Sequence, residues 1–510
     1  MALESTERMR HLPLATALLA AFGIGTTPSL ALATSWPVGR CSDMVGKGGD
    51  TLRVAVTKAG NGDTVDLTTL PATCTGFTLT GGAIIVGKTD LSIVADRNIT
   101  IDGGNSDRVF NHIGFGNLYL RYLTLTHGNM ASGDGGCVTS YASVTLSHTT
   151  ITGCQASGAG GGVNAVSCDL AYSSVDGNLA PDGAGLRCTG GAHFNHSTVS
   201  GNLVGGGVRA SSVQAYFSTF ANNTRDVGPG GGIYTTGTTT LGNSIVSGNT
   251  TNTPANGNGG GVRANGNLTV LDSLVAANSA AQTGGGLSSG NLITVTDSTV
   301  SGNHASGAGG ARGFTVQLLR ATVDSNTGPN GVGGVDSSNA SITNSTISGN
   351  EGAGPGGLYG FLINSSNSTI AFNRATSTTA GATGGLRGNT MSMSSTIVAR
   401  NSTAGPGPAD IYLADNPSAF QPTNSLITSC NCSTLSIATD PRLAPLAIHG
   451  GAQRTHALSI GSPAIDAGSA GGQTTDERGT GYARAVGAAA DIGAYERQAN
   501  DDELFYSGFD

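Results

Sequence analysis

The sequence predicts an all-β fold, a single-stranded right-handed parallel β-helix with three short strands per coil. Three observations predict it. A β-branched run ending in asparagine recurs through most of the chain, as in STVSGN at Ser197–Asn202 and Ser298–Asn303. A glycine cluster closed by an aliphatic residue follows each run, as in GGGVR ending at Arg209 and again at Arg263. The two halves return together, with a mean step of about 25 residues between Cys154 and Asn401. The Gly, Ser, Thr and Asn of these repeats favour turns and strands over helix interiors, and the apolar residues alternate at strand spacing. A step of that size holds three strands and three turns, which is one solenoid coil.

Two other readings compete. A Gly-rich disordered chain is opposed by the regular aliphatic spacing and a net charge of only −8. A propeller blade needs about 40 residues or more.

In a solenoid each coil hydrogen-bonds to its neighbours at a rise of about 4.8 Å. Val, Ile and Leu at matched positions then stack inside, and stability becomes a nearest-neighbour sum. The asparagine column is Asn178, Asn202, Asn223, Asn249, Asn278, Asn303, Asn326, Asn350 and Asn373. Turned inward, such amides donate to and accept from turn backbone, satisfying groups whose burial unpaired costs about 1–3 kcal/mol each. Cys154 holds the same column upstream, and Asn401 is read as falling one residue late.

In chain order, residues 1–33 read as a secretory signal peptide. Arg8 and Arg10 precede the apolar run Leu12–Ile24, and Ala31 and Ala33 fit an A-x-A cleavage site. The rival is an uncleaved anchor, opposed by the short run and by Pro13 and Gly23. No later segment is apolar enough for a transmembrane span in the mature chain. Residues 34–108 read as an N-terminal cap and first coils, with TLRVAV at Thr51–Val56 as a short covering helix. A solenoid needs atypical ends to cover its core and block edge pairing. Residues 109–430 carry the repeats. Residues 431–497 form a distinct C-terminal module, containing GSPAIDAG, DERG and ADIGAYER. Residues 498–510 form an exposed tail that is either a sorting signal or a frayed end.

The eight cysteines permit disulfides in an exported chain. Cys41 and Cys74 are placed to staple the cap. Cys430 and Cys432 either pair across a tight turn or remain unpaired. Metal binding by this CNC segment is the rival, opposed by the lack of a histidine nearby in sequence.

These segments together resemble bacterial right-handed parallel β-helix proteins carrying a choice-of-anchor Q C-terminal module. The likeness rests on DTLRVAVTKAGNGDTVDL and NITIDGGNSDRVF, on the coil motifs LTLTHGN, STVSGN and GGGV, and on GSPAIDAG, DERG and DIGAYE. It covers nearly all of residues 50–510. Phe505–Asp510 is similar to the F-x-x-GF-[DE] tail of some exported proteobacterial proteins, while an LPxTG motif and a hydrophobic anchor are lacking. The resemblance implies secretion or surface exposure and leaves molecular function undefined.

Lys and Arg number 24 against 32 Asp and Glu with no long basic block, which disfavours nucleic acid as a partner. β-Helices also carry polysaccharide lyases and glycoside hydrolases. A hydrolase needs two placed carboxylates. Polygalacturonase-like NTD, GHG and RIK motifs are absent. One column precedes each S-T-V run and includes His148, Tyr172, His196, Phe217 and Asn243, then Asp272, Asp297 and Arg320. These last three offer a Ca²⁺ site or an acid pair, or else a solvated face where Arg320 offsets two carboxylates. A second column follows the glycines and includes Arg187, Arg209, Tyr234, Arg263, Asp336, Tyr359 and Arg387. Arginines and tyrosines in file can grip acidic glycans, and are equally normal outward residues beside a turn. His193, His196, Asp176 and Asp182 cluster loosely, with no spacing that selects a metal.

The expectation is an exported structural, adhesive or glycan-binding protein with no catalytic residues and no cofactor assigned. Its expected partner is an extracellular polysaccharide or cell-surface glycan. The alternative is a polysaccharide lyase or glycoside hydrolase acting on the side of the same scaffold.

Overall fold

The computed structural model describes residues 33–43, 49–415, 417–433, 437–499 and 501. The expected signal peptide, apart from Ala33, and the aromatic tail lie outside the described residues. No helix among the described residues is long and apolar enough to cross a membrane.

The chain winds as a right-handed parallel β-helix. One coil shows the plan. Strand β1 (Val262–Ala264) follows three glycines, β2 (Leu268–Leu271) follows a corner, and β3 (Leu274–Ala276) follows a sharper corner. Asn278 comes next, and then a two-residue strand, β4 (Ser279–Ala280). The fourth strand adds to the three that the sequence predicts. Each pairs in parallel with its counterpart one coil on, Val262 with Leu287, Leu268 with Ile293, Leu274 with Thr299 and Ser279 with His304. Side chains alternate in and out along each strand. Val262, Val270 and Val275 therefore enter the interior, where all three are fully buried. From Ala311 onward the corner between the first two faces straightens, giving continuous strands such as Ala311–Leu319 and Val335–Thr343.

The asparagines form one buried file. In each, the backbone N–H and the side-chain Nδ2–H both donate to Oδ1 of the asparagine one coil on, as from Asn303 to Asn326, each at 2.9 Å. Nδ2–H also donates to a strand carbonyl one coil back, as from Asn303 to Val275 at 3.0 Å. Asn401 belongs to this file. It receives both bonds from Asn373 and passes its own Nδ2–H to Asp410 Oδ1 at 2.9 Å. The expectation that Asn401 falls one residue late is corrected, because Thr396 takes the place of the leading serine and Ile397 pairs with Thr369.

A second file runs through that leading serine. The N–H of Ser173 donates to Ser197 Oγ, that of Ser197 to Ser218 Oγ and that of Ser218 to Ser244 Oγ. The residue just before it turns the sharp corner in the left-handed region, at φ 50° for Tyr172, 49° for His196 and 45° for Asp272. Non-glycine residues are uncommon there, with Asn, Asp and His enriched. Asn243, Asp272, Asp297, Asn344 and Asn367 all fill this column.

At the N-terminal end the helix Leu52–Lys58 buries Leu52, Ala55 and Val56 over the first coils, with Thr51 Oγ1 accepting from the Val54 N–H. It starts one residue later than the sequence run and continues past it to Lys58. Disulfides join Cys41 to Cys74, Cys137 to Cys154, Cys168 to Cys188 and Cys430 to Cys432.

Residues 440–499 fold back along the outside of the third face. The outward residues of Thr322–Asp324, Thr346–Ser348 and Thr369–Ala371 are buried there, while those of Thr198–Ser200 or Thr299–Ser301 are half-exposed. Thr346 supplies both its N–H (3.1 Å) and its hydroxyl (2.5 Å) to the Glu477 carboxyl. Arg454 pairs with Asp324, and Ser348 Oγ bonds His456 Nε2 at 2.8 Å. Ile397 and Ala399 join a small apolar core with Leu458, Ile492 and Tyr495. Inside this segment the DERG arginine, Arg478, pairs with Asp476 and lies between the rings of Tyr482 and Tyr495, at 4.1 and 3.9 Å from their centroids.

Candidate functional site

The middle residue of each first-face strand points outward, and register links these residues into one column. Arg187 pairs with Arg209, Arg209 with Tyr234 and Tyr234 with Arg263. Arg263 pairs with Ser288, Ser288 with Arg312 and Arg312 with Asp336. Asp336 then leads to Tyr359, Tyr359 to Arg387 and Arg387 to Tyr412. Every glycine-following candidate therefore stands in one file. Arg312 and Tyr412 belong to it although the sequence pattern missed them. GGARG at Arg312 carries Ala311 where the other coils have a larger aliphatic, and Asp410 replaces the glycine before Tyr412.

The arginines are held in place. Asp182 receives Arg187 at 3.1 Å, Arg209 at 2.7 Å and Arg225 at 2.9 Å. Burial raises the Asp182 carboxyl, but the arginines outweigh it and hold the carboxyl below its ordinary range. Arg225, which sits on the two-residue strand and has no signal in the glycine pattern, is almost fully buried. Arg209 and Arg225 both lie over the Tyr234 ring, at 5.4 and 5.8 Å. Arg263 donates to Ser288 Oγ at 2.9 Å and Asn265 Oδ1 at 3.3 Å, and burial holds its guanidinium below the usual arginine range. Arg387 lies 5.5 Å over Tyr412. Among the described residues neither Arg263 nor Arg387 forms an ion pair. Three arginines share one carboxylate at Asp182, so the column carries surplus positive charge on a chain of net charge −8.

At its C-terminal part the column opens into a groove of about 730 Å³ beside the straightened corner. Phe314 and Phe361, 57% and 58% exposed, occupy corner positions two coils apart and both line it. Arg312, Asp336, Tyr359, Asn339, Ser289, Ser337 and Ser338 make up its polar lining. Arg312 bonds Asp336 at 2.8 Å. Burial raises the Asp336 carboxyl above its ordinary value, and Arg312 opposes that. Asp336 is the carboxylate among these lining residues, so the groove holds no acid pair of the kind that glycoside hydrolysis uses.

The corner column behaves differently. Tyr122, His148, Tyr172, His196 and Phe217 stack in sequence, with centroids 4.7, 5.1, 4.9 and 4.8 Å apart. Their faces cover one another, leaving the inner rings only edges to offer a ligand. Further along, Arg320 grips Asp297 with both oxygens engaged, at 2.6 and 2.7 Å. Asp272 and Asp297 line a groove of about 470 Å³ closed on one side by Ala452 and Gln453 of the folded-back segment. Among the described residues no three His, Cys, Asp or Glu side chains converge as a metal site.

The loose histidine–aspartate cluster is not a unit. His196 belongs to the ring stack, Asp176 accepts from Thr152 and Ser174, and Asp182 sits among the arginines. His193 instead pairs through Nδ1 with Asp169 at 2.7 Å, in a groove of about 520 Å³ that Gln214 and Tyr216 also line. Only the register of the second face brings Asp169 and His193 together.

No known family profile matches the chain, and no curated protein matches it. Among solved structures it is similar to one described as a crystal structure of the pectate lyase Pel9A, at 12% identity and a TM-score of 0.28, covering 92% of this chain and 98% of that one.

Proposed function

We propose that the protein is a glycan-binding β-helix that lays an acidic polysaccharide along the outer side of its first face. The observation that carries this is the groove where the arginine–tyrosine column meets two exposed phenylalanines. Exposed rings on a polar floor suit the apolar faces and the hydroxyls of sugars, and fixed guanidiniums suit their carboxylates. Four disulfides support a secreted or surface location, since such bridges persist in oxidising compartments. The likeness of DERG and DIGAYE to choice-of-anchor Q modules of bacterial surface proteins supports the same location. The test is retention of the protein on immobilised acidic and neutral polysaccharides. Retention on the acidic ones, lost in Phe361→Ala and Arg312→Ala, is expected. Equal retention of these variants would refute the site.

A second reading is catalysis on the side of the solenoid, and the His193–Asp169 pair favours it. A carboxylate on Nδ1 orients the imidazole of a residue that lines the groove, and Nε2 is then the nitrogen that would act as a base. New reducing or unsaturated ends on a polysaccharide panel, abolished by His193→Ala, would establish it. An inert panel would remove it.

A further inference from the structure

From Arg209 to Arg312 the arginines of the first face, Arg209, Arg263 and Arg312, stand on alternate coils, with Tyr234 and Ser288 between them, while Arg187 one coil earlier shares Asp182 with Arg209. Two coil steps are about 10 Å. We infer that the polymer this face takes carries one anionic group, a carboxylate or a sulfate, per disaccharide rather than one per sugar. The inference rests on the reading that the face binds an acidic glycan.

The three cations are pinned, each by a different partner. Arg209 is tied to Asp182 at 2.7 Å, Arg263 to Ser288 at 2.9 Å and Arg312 to Asp336 at 2.8 Å. Their spacing is set by the backbone ladder rather than by side-chain freedom, so an anion repeat that matches it meets cations already in place. An extended disaccharide is about as long as two coil steps. The intervening coils carry no charge, since Tyr234 ends in a phenol and Ser288 is buried, with its Oγ accepting from Arg263. A polymer charged on every sugar would set half of its anions beside these neutral groups. One coil past Arg312 it would also set a carboxylate against Asp336, where like charges repel.

The experiment is calorimetric titration of the purified full-length protein with four probes of equal length. They are a hyaluronan fragment (one carboxylate per disaccharide), an oligogalacturonate (one per sugar), a neutral cello-oligosaccharide and single-stranded DNA. The hyaluronan fragment should bind at least about tenfold more tightly than the other three. Arg263→Ala should weaken it by about fivefold or more, and Tyr234→Arg, which adds a cation on an intervening coil, should shift preference toward the oligogalacturonate. Far-ultraviolet circular dichroism confirms that each variant keeps the β-helix, and Asp336→Asn, which removes the opposing carboxylate one coil past Arg312, repeats the gain-of-charge test if Tyr234→Arg does not fold. Equal affinity for the two acidic glycans, or no shift in either gain-of-charge variant, would overturn the spacing inference and leave the acidic-glycan reading intact. Failure to bind either acidic glycan, or DNA binding as tight as theirs, would overturn both.

Discussion

Gly310 supplies the space that Asn326 occupies. A Cβ built on Gly310 would lie 3.1 Å from Asn326 Cγ and 2.5 Å from the Gly334 carbonyl oxygen. The same relation links Gly286 to Asn303, Gly334 to Asn350 and Gly357 to Asn373. Each glycine lies next to the aliphatic residue that opens a coil, and each asparagine closes that coil's third strand. This is why the two halves of the repeat travel together: the amide fills the volume that a side chain on the glycine would take. No positive φ is involved at these positions, so the requirement is for space.

Gly310→Ala should therefore destabilise the coils around it by about 2–4 kcal/mol, through steric overlap with the Gly334 carbonyl and with the Asn326 amide. Asn326→Ala should cost about 2–3 kcal/mol by leaving the Asn303 N–H buried and unpaired. The double variant should cost less than the sum, because the smaller side chain at 326 relieves the part of the overlap made with the amide while the contact with the Gly334 carbonyl remains. Hydrogen exchange of the amides in neighbouring coils measures this locally, and strict additivity would refute the account.

Asp182→Asn should destabilise by about 3 kcal/mol or more, although it removes only one charge. It leaves Arg225, almost fully buried, without its counter-charge. Asp297→Asn at the half-exposed Arg320 pair should cost below about 1 kcal/mol. Urea melts of the two variants should separate in that order.

Stability should peak at about pH 4.5 and fall from there towards pH 8, because two glutamates lose more across pH 4.5–6.5 than one histidine gains. Burial pushes the Glu477 carboxyl up from 4.5 to about 8 and Glu496 from 4.5 to about 7. Each holds its proton more tightly folded than unfolded, so each contribution is complete below pH 4.5 and is lost as pH rises through those values. His456 runs the other way. Burial lowers it from 6.5 to about 4, so its contribution is complete above pH 6.5 and is lost as pH falls through 4. Scanning calorimetry across pH 3–9 should show both limbs, and Glu477→Gln should flatten the alkaline one. A Tm that climbs from pH 6 to 8 would contradict this assignment.

Binding of an acidic polysaccharide should weaken as salt rises from 50 to 500 mM, since the exposed guanidiniums act across distances that salt screens. Arg312→Ala should reduce that dependence, because Arg312 is half-exposed in the groove. Affinity that holds constant with salt would argue against recognition through the arginines.

The solenoid was legible in the sequence because its stabilising contacts are periodic. Val262, Val275 and Asn278 meet their own counterparts one coil away, so a step of about 25 residues already states the tertiary neighbours. The same logic placed Arg187, Arg209, Tyr234, Arg263, Tyr359 and Arg387 in one column, and missed Arg312 and Tyr412 where Ala311 and Asp410 broke the motif. What the repeat does not encode, the sequence left open. Glu477 reaches Thr346 across more than a hundred residues, Arg225 reaches Asp182 from a different strand, and Phe314 and Phe361 come together where a corner straightens. Such contacts are aperiodic, made once between surfaces that exist only after the coils have stacked. Periodic hydrogen bonding and burial therefore determined the scaffold from the chain alone, while the groove, the arginine cluster and the covered third face were decided by the tertiary structure.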